Sequence, residues 1–184
     1  WDMVIVNALA ISVLNSDLLL DSSSSTPHNL FGCTAFAVSS DAGTYLAHNT
    51  DGQKGSELGG VMYYVPNNGD NSYLHQFTHA FVDVGLALND KGISITYNVG
   101  NPNVNATFGL PPLFMVRYAL EKCSTLDEVV SYFTDFIDSG NKFGHGGAIF
   151  LVVDFNDSTM AKIQMRSEKY KVTYGEELKP GVTY

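Results

Sequence analysis

The sequence contains little cysteine and lacks several motifs that identify common classes of enzyme. Cys33 and Cys123 are the only cysteines among its 184 residues, too few for a disulfide framework, and their spacing fits no zinc pattern. The chain has no Gly-x-x-x-x-Gly-Lys phosphate loop and no Gly-x-Ser-x-Gly nucleophile motif. We therefore expect no metal ion and no cofactor, and no motif supports a nucleotide site or a serine hydrolase.

Basic residues are also scarce. The 10 Lys and Arg residues are outnumbered by 19 Asp and Glu, which gives a net charge of −9. Nucleic acids and anionic membranes both attract basic surfaces, so this charge predicts neither as a partner. No apolar run approaches the ~20 residues that a membrane-spanning helix needs. Hydrophobic residues make up 45% of the chain, which predicts a folded globular domain with its own core.

The hydrophobic pattern changes from strand-like to helical and back along the chain. Turn residues at 41–43 and 89–92 separate strand-like runs and predict β-hairpins. Thr125 to Glu128 is a capping box that opens a helix. Strands on both sides of a helical pair predict an α+β fold with helices packed on antiparallel sheet. The predicted elements are a short helix at 1–15, a linker at 21–29, strands at 33–39, 44–48, 61–65, 72–78, 81–88 and 92–98, two helices between 113 and 138, and strands at 148–154, 160–166 and 170–174.

Cys33 opens one of the predicted strands and follows a Ser-rich stretch between Asp21 and Pro27. A self-cleaving enzyme would place its nucleophile in such a position. Cleavage of the Gly32–Cys33 bond would give Cys33 a free α-amine with a pKa of roughly 8, which could serve as general base for its own thiol. A cysteine in a hydrophobic strand is also commonly a buried and unreactive residue.

Several short motifs, taken in order, carry a resemblance to a known family. Cys33-Thr34 opens a strand, Asn49-Thr50-Asp51 follows, Asn89-Asp90-Lys91-Gly92 forms a hairpin, and Gly144-His145-Gly146-Gly147 leads into a strand that ends at Asp154. Together they resemble the cysteine N-terminal-nucleophile (Ntn) hydrolases of the linear-amide C–N hydrolase group. That group includes the penicillin acyltransferases, the choloylglycine hydrolases and the acid ceramidase-like amidases.

The resemblance implies a four-layer αββα sandwich and hydrolysis, or acyl transfer, from a small-molecule linear amide. Residues 1–32 would be a propeptide-like helix and linker, and residues 33–184 would be the N-terminal part of the catalytic domain. The implied roles are autocatalytic cleavage between Gly32 and Cys33, a nucleophile at Cys33, a carboxylate at Asp51 that holds the Cys33 amine, and an oxyanion donor at Asn98. Asp51 would otherwise be an ordinary turn residue, and Asn98 an ordinary cap at a strand end.

Two further positions are expected to contact the substrate or steady the site. Thr34 follows the nucleophile directly and would act through its backbone or hydroxyl, or else serve simply as a strand residue. His48 stands where many relatives have Arg, and it is predicted to bind substrate. Because histidine is shorter than arginine and mostly neutral near pH 7, the substrate preference of the relatives does not carry over.

Relatives place a second oxyanion Asn and an Arg further along than Tyr184. The resemblance therefore predicts an incomplete sandwich that works with a missing C-terminal segment or a second processed chain, and a homo-oligomer is a further option. Asn105 and Asn156 begin glycosylation triplets, which fit a secreted or lysosome-like compartment.

Two other functions stay open at this stage. One is a non-catalytic or precursor relative that serves as a binding or structural domain. The other is a papain-like hydrolase in which His145 pairs with Cys33, although His145 lies in a glycine-rich loop.

Overall fold

The computed structural model describes residues 4–8, 32–51, 59–78, 86–99, 109–144 and 147–175. These residues form ten strands and two helices. In chain order they are β1 (Val4–Ala8), β2 (Gly32–Ser40), β3 (Gly43–Asp51), β4 (Gly59–Tyr64), β5 (Tyr73–Thr78), β6 (Leu86–Asn89), β7 (Ile93–Val99), α1 (Pro112–Lys122), α2 (Leu126–Asp138), β8 (Ala148–Asp154), β9 (Thr159–Arg166) and β10 (Lys169–Tyr174).

The strands form two antiparallel sheets that stack on each other. The small sheet has the order β1-β2-β3, and the large sheet has the order β10-β9-β8-β7-β6-β5-β4. Helices α1 and α2 pack on one face of the large sheet, and β2 packs on its opposite face against β7 and β8. The described residues therefore form three layers: helices, large sheet and small sheet. We call the faces that the two sheets turn toward each other their inner faces.

Strand β8 illustrates why the centre of the large sheet is hydrophobic on both sides. Phe150 and Val152 belong to the core beneath the helices. The alternate residues Leu151 and Val153 belong instead to a second cluster, which includes Ala35 of the small sheet. Because side chains alternate between the two faces of a strand, a strand covered on both faces is apolar at nearly every position. Burial of each such side chain contributes about 1.5–3 kcal/mol.

Helix α2 begins where the sequence predicts. The Thr125 hydroxyl oxygen accepts a hydrogen bond from the Glu128 backbone N–H (3.2 Å), and the Glu128 carboxylate accepts one from Ser124 N–H (2.6 Å). The first bond confirms Thr125 as the N-cap of the predicted capping box, whereas the second reaches Ser124, the residue before the N-cap, instead of the Thr125 N–H. The buried stripe of α2 then carries Phe133 edge-on to Phe150, with ring centroids 4.9 Å apart.

Most predicted elements are confirmed, including both hairpins, the helical pair and the three last strands. The α+β class with helices on antiparallel sheet is also confirmed. The predicted hairpin turn at 89–92 is formed with Gly92 at φ 81°, a backbone conformation that favours glycine. Among the described residues, no helix is both long and apolar enough to cross a membrane.

The helix predicted at 1–15 is wrong over residues 4–8, which form strand β1. This run pairs antiparallel with β2, from Val4 opposite Ser39 to Ala8 opposite Ala35. Its β-branched residues Val4, Ile5 and Val6 fit a strand as well as a helix, and the available edge of β2 decides in favour of the strand. The rest of this helix, apart from residues 4–8, and the linker at 21–29 lie outside the described residues.

Candidate active site

Cys33 is the second residue of β2, and its side chain faces the region between the two sheets. Cys33, Ala35 and Ala37 are buried, whereas Thr34 and Phe36 are exposed. This alternation places Cys33 on the inner face of the small sheet together with the two alanines. Cys33 forms no disulfide bond.

The register between β2 and β3 determines which residues flank Cys33. Ala35 is paired with His48, and Gly32 is paired with Asp51. His48 is therefore a diagonal neighbour of Cys33, at a Cα separation of about 7–8 Å that a long side chain can cross. The His48 ring is half-buried, with its Nε2 atom fully buried. The backbone of Asp51 lies beside the Gly32–Cys33 bond, and its side chain lies outside the described part of the structure.

Asn98 lies near the end of β7, on the inner face of the large sheet. It is 0% exposed, and its partner on β8 is Ile149, which packs in the cluster between the sheets. Within the described part of the chain, neither Nδ2 nor Oδ1 of Asn98 has a hydrogen-bond partner. A buried carboxamide without partners costs about 1–3 kcal/mol. A buried polar group of this kind is a candidate for a role in the site.

The packing between the sheets shows which end of the interface Cys33 occupies. Ala35 of β2 and Leu151 of β8 belong to one cluster. Four residues after Ala35, Ser39 lines the same cleft as Asp154, which is three residues after Leu151. Strands β2 and β8 therefore run in the same direction across the interface. Cys33, two residues before Ala35, lies toward the start of β8.

This order brings Cys33 and Asn98 to the same end of the interface. The start of β8 carries Ile149, two residues before Leu151, and Ile149 is paired with Asn98. A thiol on one sheet and an amide without partners on the other thus occupy the same end of the interlayer region. Such an arrangement can place an amide donor near a carbonyl that the thiol attacks.

Thr34 does not face Cys33 and Asn98 with its side chain. Thr34 is exposed on the outer face of the small sheet, and its partner Asn49 is exposed as well. A contribution of Thr34 to the site would therefore come from its backbone. His145, the alternative partner for Cys33, lies outside the described residues.

Cys123 differs from Cys33 in its surroundings. It follows α1, is 5% exposed and belongs to the core beneath the helices. Burial, with a smaller contribution from the nearby Glu128 carboxylate, raises the pKa of the Cys123 thiol to about 11. Because the thiolate is the nucleophilic form, Cys123 is an unreactive core residue.

The sequence-based prediction of site residues included none from β9 or β10. Lys162 and Gln164 on β9 and Lys171 on β10 nevertheless share the inner face of the large sheet with Asn98, through the register of β7 to β10. The signal for them is the alternation of polar residues at 162, 164 and 166 with apolar residues at 161, 163 and 165.

Among the described residues, no group of three His, Cys, Asp or Glu side chains could hold a metal ion. His75 and His79 have the His-x-x-x-His spacing of helical zinc ligands. However, His75 lies on strand β5 and not on a helix, and His79 lies outside the described residues.

Comparisons with known proteins bear on the family and the fold of the chain. The family model described as acyl-coenzyme A:6-aminopenicillanic acid acyl-transferase matches residues 38–178. Among solved structures, the chain is similar to a mutant of the conjugated bile acid hydrolase from Clostridium perfringens, with a TM-score of 0.56 and 14% identity over 78% of this chain and 50% of the hydrolase chain. A variant of the same hydrolase gives a TM-score of 0.44 and 12% identity over 77% of this chain and 47% of that one. No curated protein sequence gives a significant match.

The structural match with a TM-score of 0.56 confirms the predicted fold, the Ntn-hydrolase sandwich. The chain spans half the length of the hydrolase that it matches.

Proposed function

Because this chain belongs to the acyl-coenzyme A:6-aminopenicillanic acid acyl-transferase family and has the Ntn-hydrolase fold, we propose that Cys33 is the nucleophile of an enzyme that cleaves or transfers acyl groups from linear amides. The observation that carries this proposal is the buried amide of Asn98, which has no hydrogen-bond partner in the described part of the chain and lies at the end of the interface where Cys33 lies. If Cys33 were only a core residue and Asn98 only a cap at a strand end, the thiol and the amide would have no reason to lie at the same end of the interface.

The reaction would proceed in two steps. The Cys33 thiolate attacks the amide carbonyl, and the Cys33 α-amine takes the thiol proton and passes it to the leaving amine. Water or a second amine then opens the acyl-thioester and releases the thiol. Asn98 Nδ2 would donate a hydrogen bond to the negative oxygen that forms in both steps, an interaction worth about 3–4 kcal/mol.

The free α-amine would arise from self-cleavage. The Cys33 thiol adds to the Gly32 carbonyl carbon, the Gly32–Cys33 C–N bond breaks, and the released nitrogen takes up a proton to become the α-amine. Water then hydrolyses the Gly32 thioester, which frees the thiol. Asp51, whose backbone pairs with Gly32, would accept hydrogen bonds from the new amine, and residues 1–32 would be the propeptide.

His48 and Thr34 would contribute in different ways. The His48 imidazole, on the inner face diagonal to Cys33, would contact the substrate. The backbone of Thr34 would hold the backbone of Cys33 in position. The remaining wall of the site would come from a further segment or a second processed chain.

Intact-mass spectrometry of the purified chain tests the proposal. We expect a new species that begins at Cys33 in the parent and none in Cys33→Ala, which lacks the thiol. Cys123→Ala is the matched control and should self-cleave like the parent, because Cys123 is a core residue. A parent that stays whole, supplied with or without an amide substrate, would contradict self-cleavage and favour a non-catalytic relative.

A further inference from the structure

Strand β4 forms one edge of the large sheet and leaves three large hydrophobic side chains exposed. Val61 is 73% exposed, Tyr63 is 61% exposed and Met62 is 44% exposed. β4 is paired with β5 on one side, and none of the described strands pairs with it on the other. In the described part of the chain, its outward backbone N–H and C=O groups are therefore open to a further strand.

Tyr63 begins an exposed hydrophobic row that runs from this edge into the sheet. Its partner on β5 is Leu74, and the partner of Leu74 on β6 is Leu88. Both leucines are exposed. Leu88 is paired with Ser94, whose partner Val153 belongs to the cluster between the two sheets. The row therefore lies on the inner face of the large sheet, beside the area that the small sheet covers.

This edge is also uncharged, although the chain is strongly acidic. Residues 58–69 and 71–82, which include β4 and β5, contain no Asp, Glu, Lys or Arg. The chain as a whole has a net charge of −9, so two copies repel each other over most of their surface. A surface without charge is the place where a second copy can approach with the least repulsion, and its hydrophobic side chains gain by being covered.

The opposite edge of the same sheet differs from β4. Strand β10 carries Lys169 and Lys171, and lysines on an edge strand discourage pairing with another chain. Strand β4 has no charged residue, no proline and a continuous register with β5, so the usual protections of an edge are absent from it. Pairing of β4 with β10 of another copy would build an open row of molecules, whereas pairing of β4 with β4 closes into a dimer.

We infer that β4 pairs antiparallel with β4 of a second copy of this chain, which joins the two large sheets into one sheet across a two-fold axis. An axis at Met62 places Val61 of each copy opposite Tyr63 of the other, and Gly60 opposite Tyr64. A β-branched side chain opposite an aromatic one is a favourable cross-strand pair, and no like charges meet. The aromatic ring also covers the open space beside the glycine.

Sedimentation equilibrium of the full chain tests the dimer. We expect a concentration-dependent equilibrium between the monomer and a species of twice its mass. Val61→Lys/Tyr63→Lys places lysines opposite each other on both sides of the axis, so dimerisation should weaken at least about tenfold. The matched control is Tyr45→Lys/Phe114→Lys, which replaces two other exposed hydrophobic residues and changes the net charge equally. It should dimerise within about twofold of the parent.

A single cysteine on β4 tests the register independently of charge. Met62 lies at the axis, so the two thiols of Met62→Cys would lie on directly opposed residues, at a Cα separation of about 4.5–5.5 Å that a disulfide can bridge. Mild oxidation should give a linked dimer on a non-reducing gel, and peptide mapping should identify the linked residue. Val65→Cys is the control, because Val65 is also exposed but would lie about 20 Å from its counterpart.

Three results would overturn the inference. A parent that stays monomeric would reject a second copy as the partner of β4 and leave this edge to a further segment or a second processed chain. Equal weakening of dimerisation in both lysine variants would place the interface elsewhere. Equal disulfide formation in both cysteine variants would reject the register. Circular dichroism shows whether each variant is folded, and the cysteine pair still decides if the double lysine variant unfolds.

Discussion

The side-chain amide of Asn89 donates a hydrogen bond to the backbone carbonyl of Cys123, with 2.9 Å between Nδ2 and the oxygen. The same nitrogen donates to the Leu120 carbonyl at 3.0 Å. Its Oδ1 accepts from the N–H groups of Lys91 (3.1 Å) and Ile93 (2.9 Å). One buried carboxamide thus joins the β6–β7 hairpin to the end of α1, which gives the Asn-Asp-Lys-Gly motif a structural reason.

Replacing Asn89 by alanine should destabilise the fold by about 3 kcal/mol, because it removes four hydrogen bonds of one buried carboxamide, and only the Cys123 carbonyl keeps a second donor, Asn71. Urea unfolding followed by circular dichroism measures this loss. The control is Asn71→Ala, which removes a single partly buried bond to the Cys123 carbonyl. It should cost about 1 kcal/mol. Equal losses in the two variants would contradict the central role of Asn89.

Replacing Asn98 by leucine should separate stability from activity. The leucine side chain has a similar size and removes a buried amide that has no partner among the described residues, so the free energy of unfolding should rise by about 1–3 kcal/mol. Amide cleavage should fall about 100- to 1000-fold, because an oxyanion donor is lost. Denaturant unfolding and steady-state kinetics test the two parts.

The matched control for Asn98 is Thr96→Val, on the same strand and face. Its hydroxyl oxygen accepts a hydrogen bond from Leu151 N–H at 3.3 Å, so this variant should lose stability by about 1 kcal/mol and keep most of its activity. A loss of stability in Asn98→Leu would show that Asn98 has a structural role instead.

The two cysteines should react very differently with iodoacetamide. The pKa of Cys123 is raised to about 11 by burial, so only about one thiol in a thousand is ionised at pH 8. Cys33, as the proposed nucleophile, should be alkylated at least about tenfold faster. Peptide mapping by mass spectrometry after timed alkylation measures both rates. Preferential labelling of Cys123 would contradict the assignment of the nucleophile.

Stability should fall as the pH rises above about 8.5. Burial is the main cause that raises the pKa of Cys123 to about 11, and of Tyr73 and Tyr132 to about 12. These groups bind their protons more tightly in the folded state, so they contribute their full stabilisation below the pKa values of the unfolded chain. This contribution is lost as the pH rises toward the pKa values of the folded state. Urea unfolding between pH 8 and pH 10 measures the slope.

A Cys123→Ala variant provides the control for this pH dependence. It should be less stable at every pH because it leaves a cavity, but its slope between pH 8.5 and pH 10 should be smaller. An unchanged slope would show that Cys123 does not contribute to the alkaline loss.

Local signals were sufficient wherever sequence neighbours decide the conformation. The hydroxyl of Thr125 reaches a backbone N–H three residues away, and the turn at Gly92 depends on the backbone freedom of one residue, so both could be predicted. The run from Val4 to Ala8 could not, because its residues suit a helix or a strand and the deciding partner is β2, more than 20 residues later.

Sequence alone pointed to Cys33, the family resemblance and the α+β order of elements, since these depend on residue types and their spacing along the chain. Tertiary structure decided that Asn98 is buried with no hydrogen-bond partner among the described residues, that Thr34 faces outward, and that Lys162, Gln164 and Lys171 share one face of the large sheet with Asn98. The physical reason is that a strand pattern specifies two alternating faces, whereas the stacking of distant sheets determines which face is buried and what it meets.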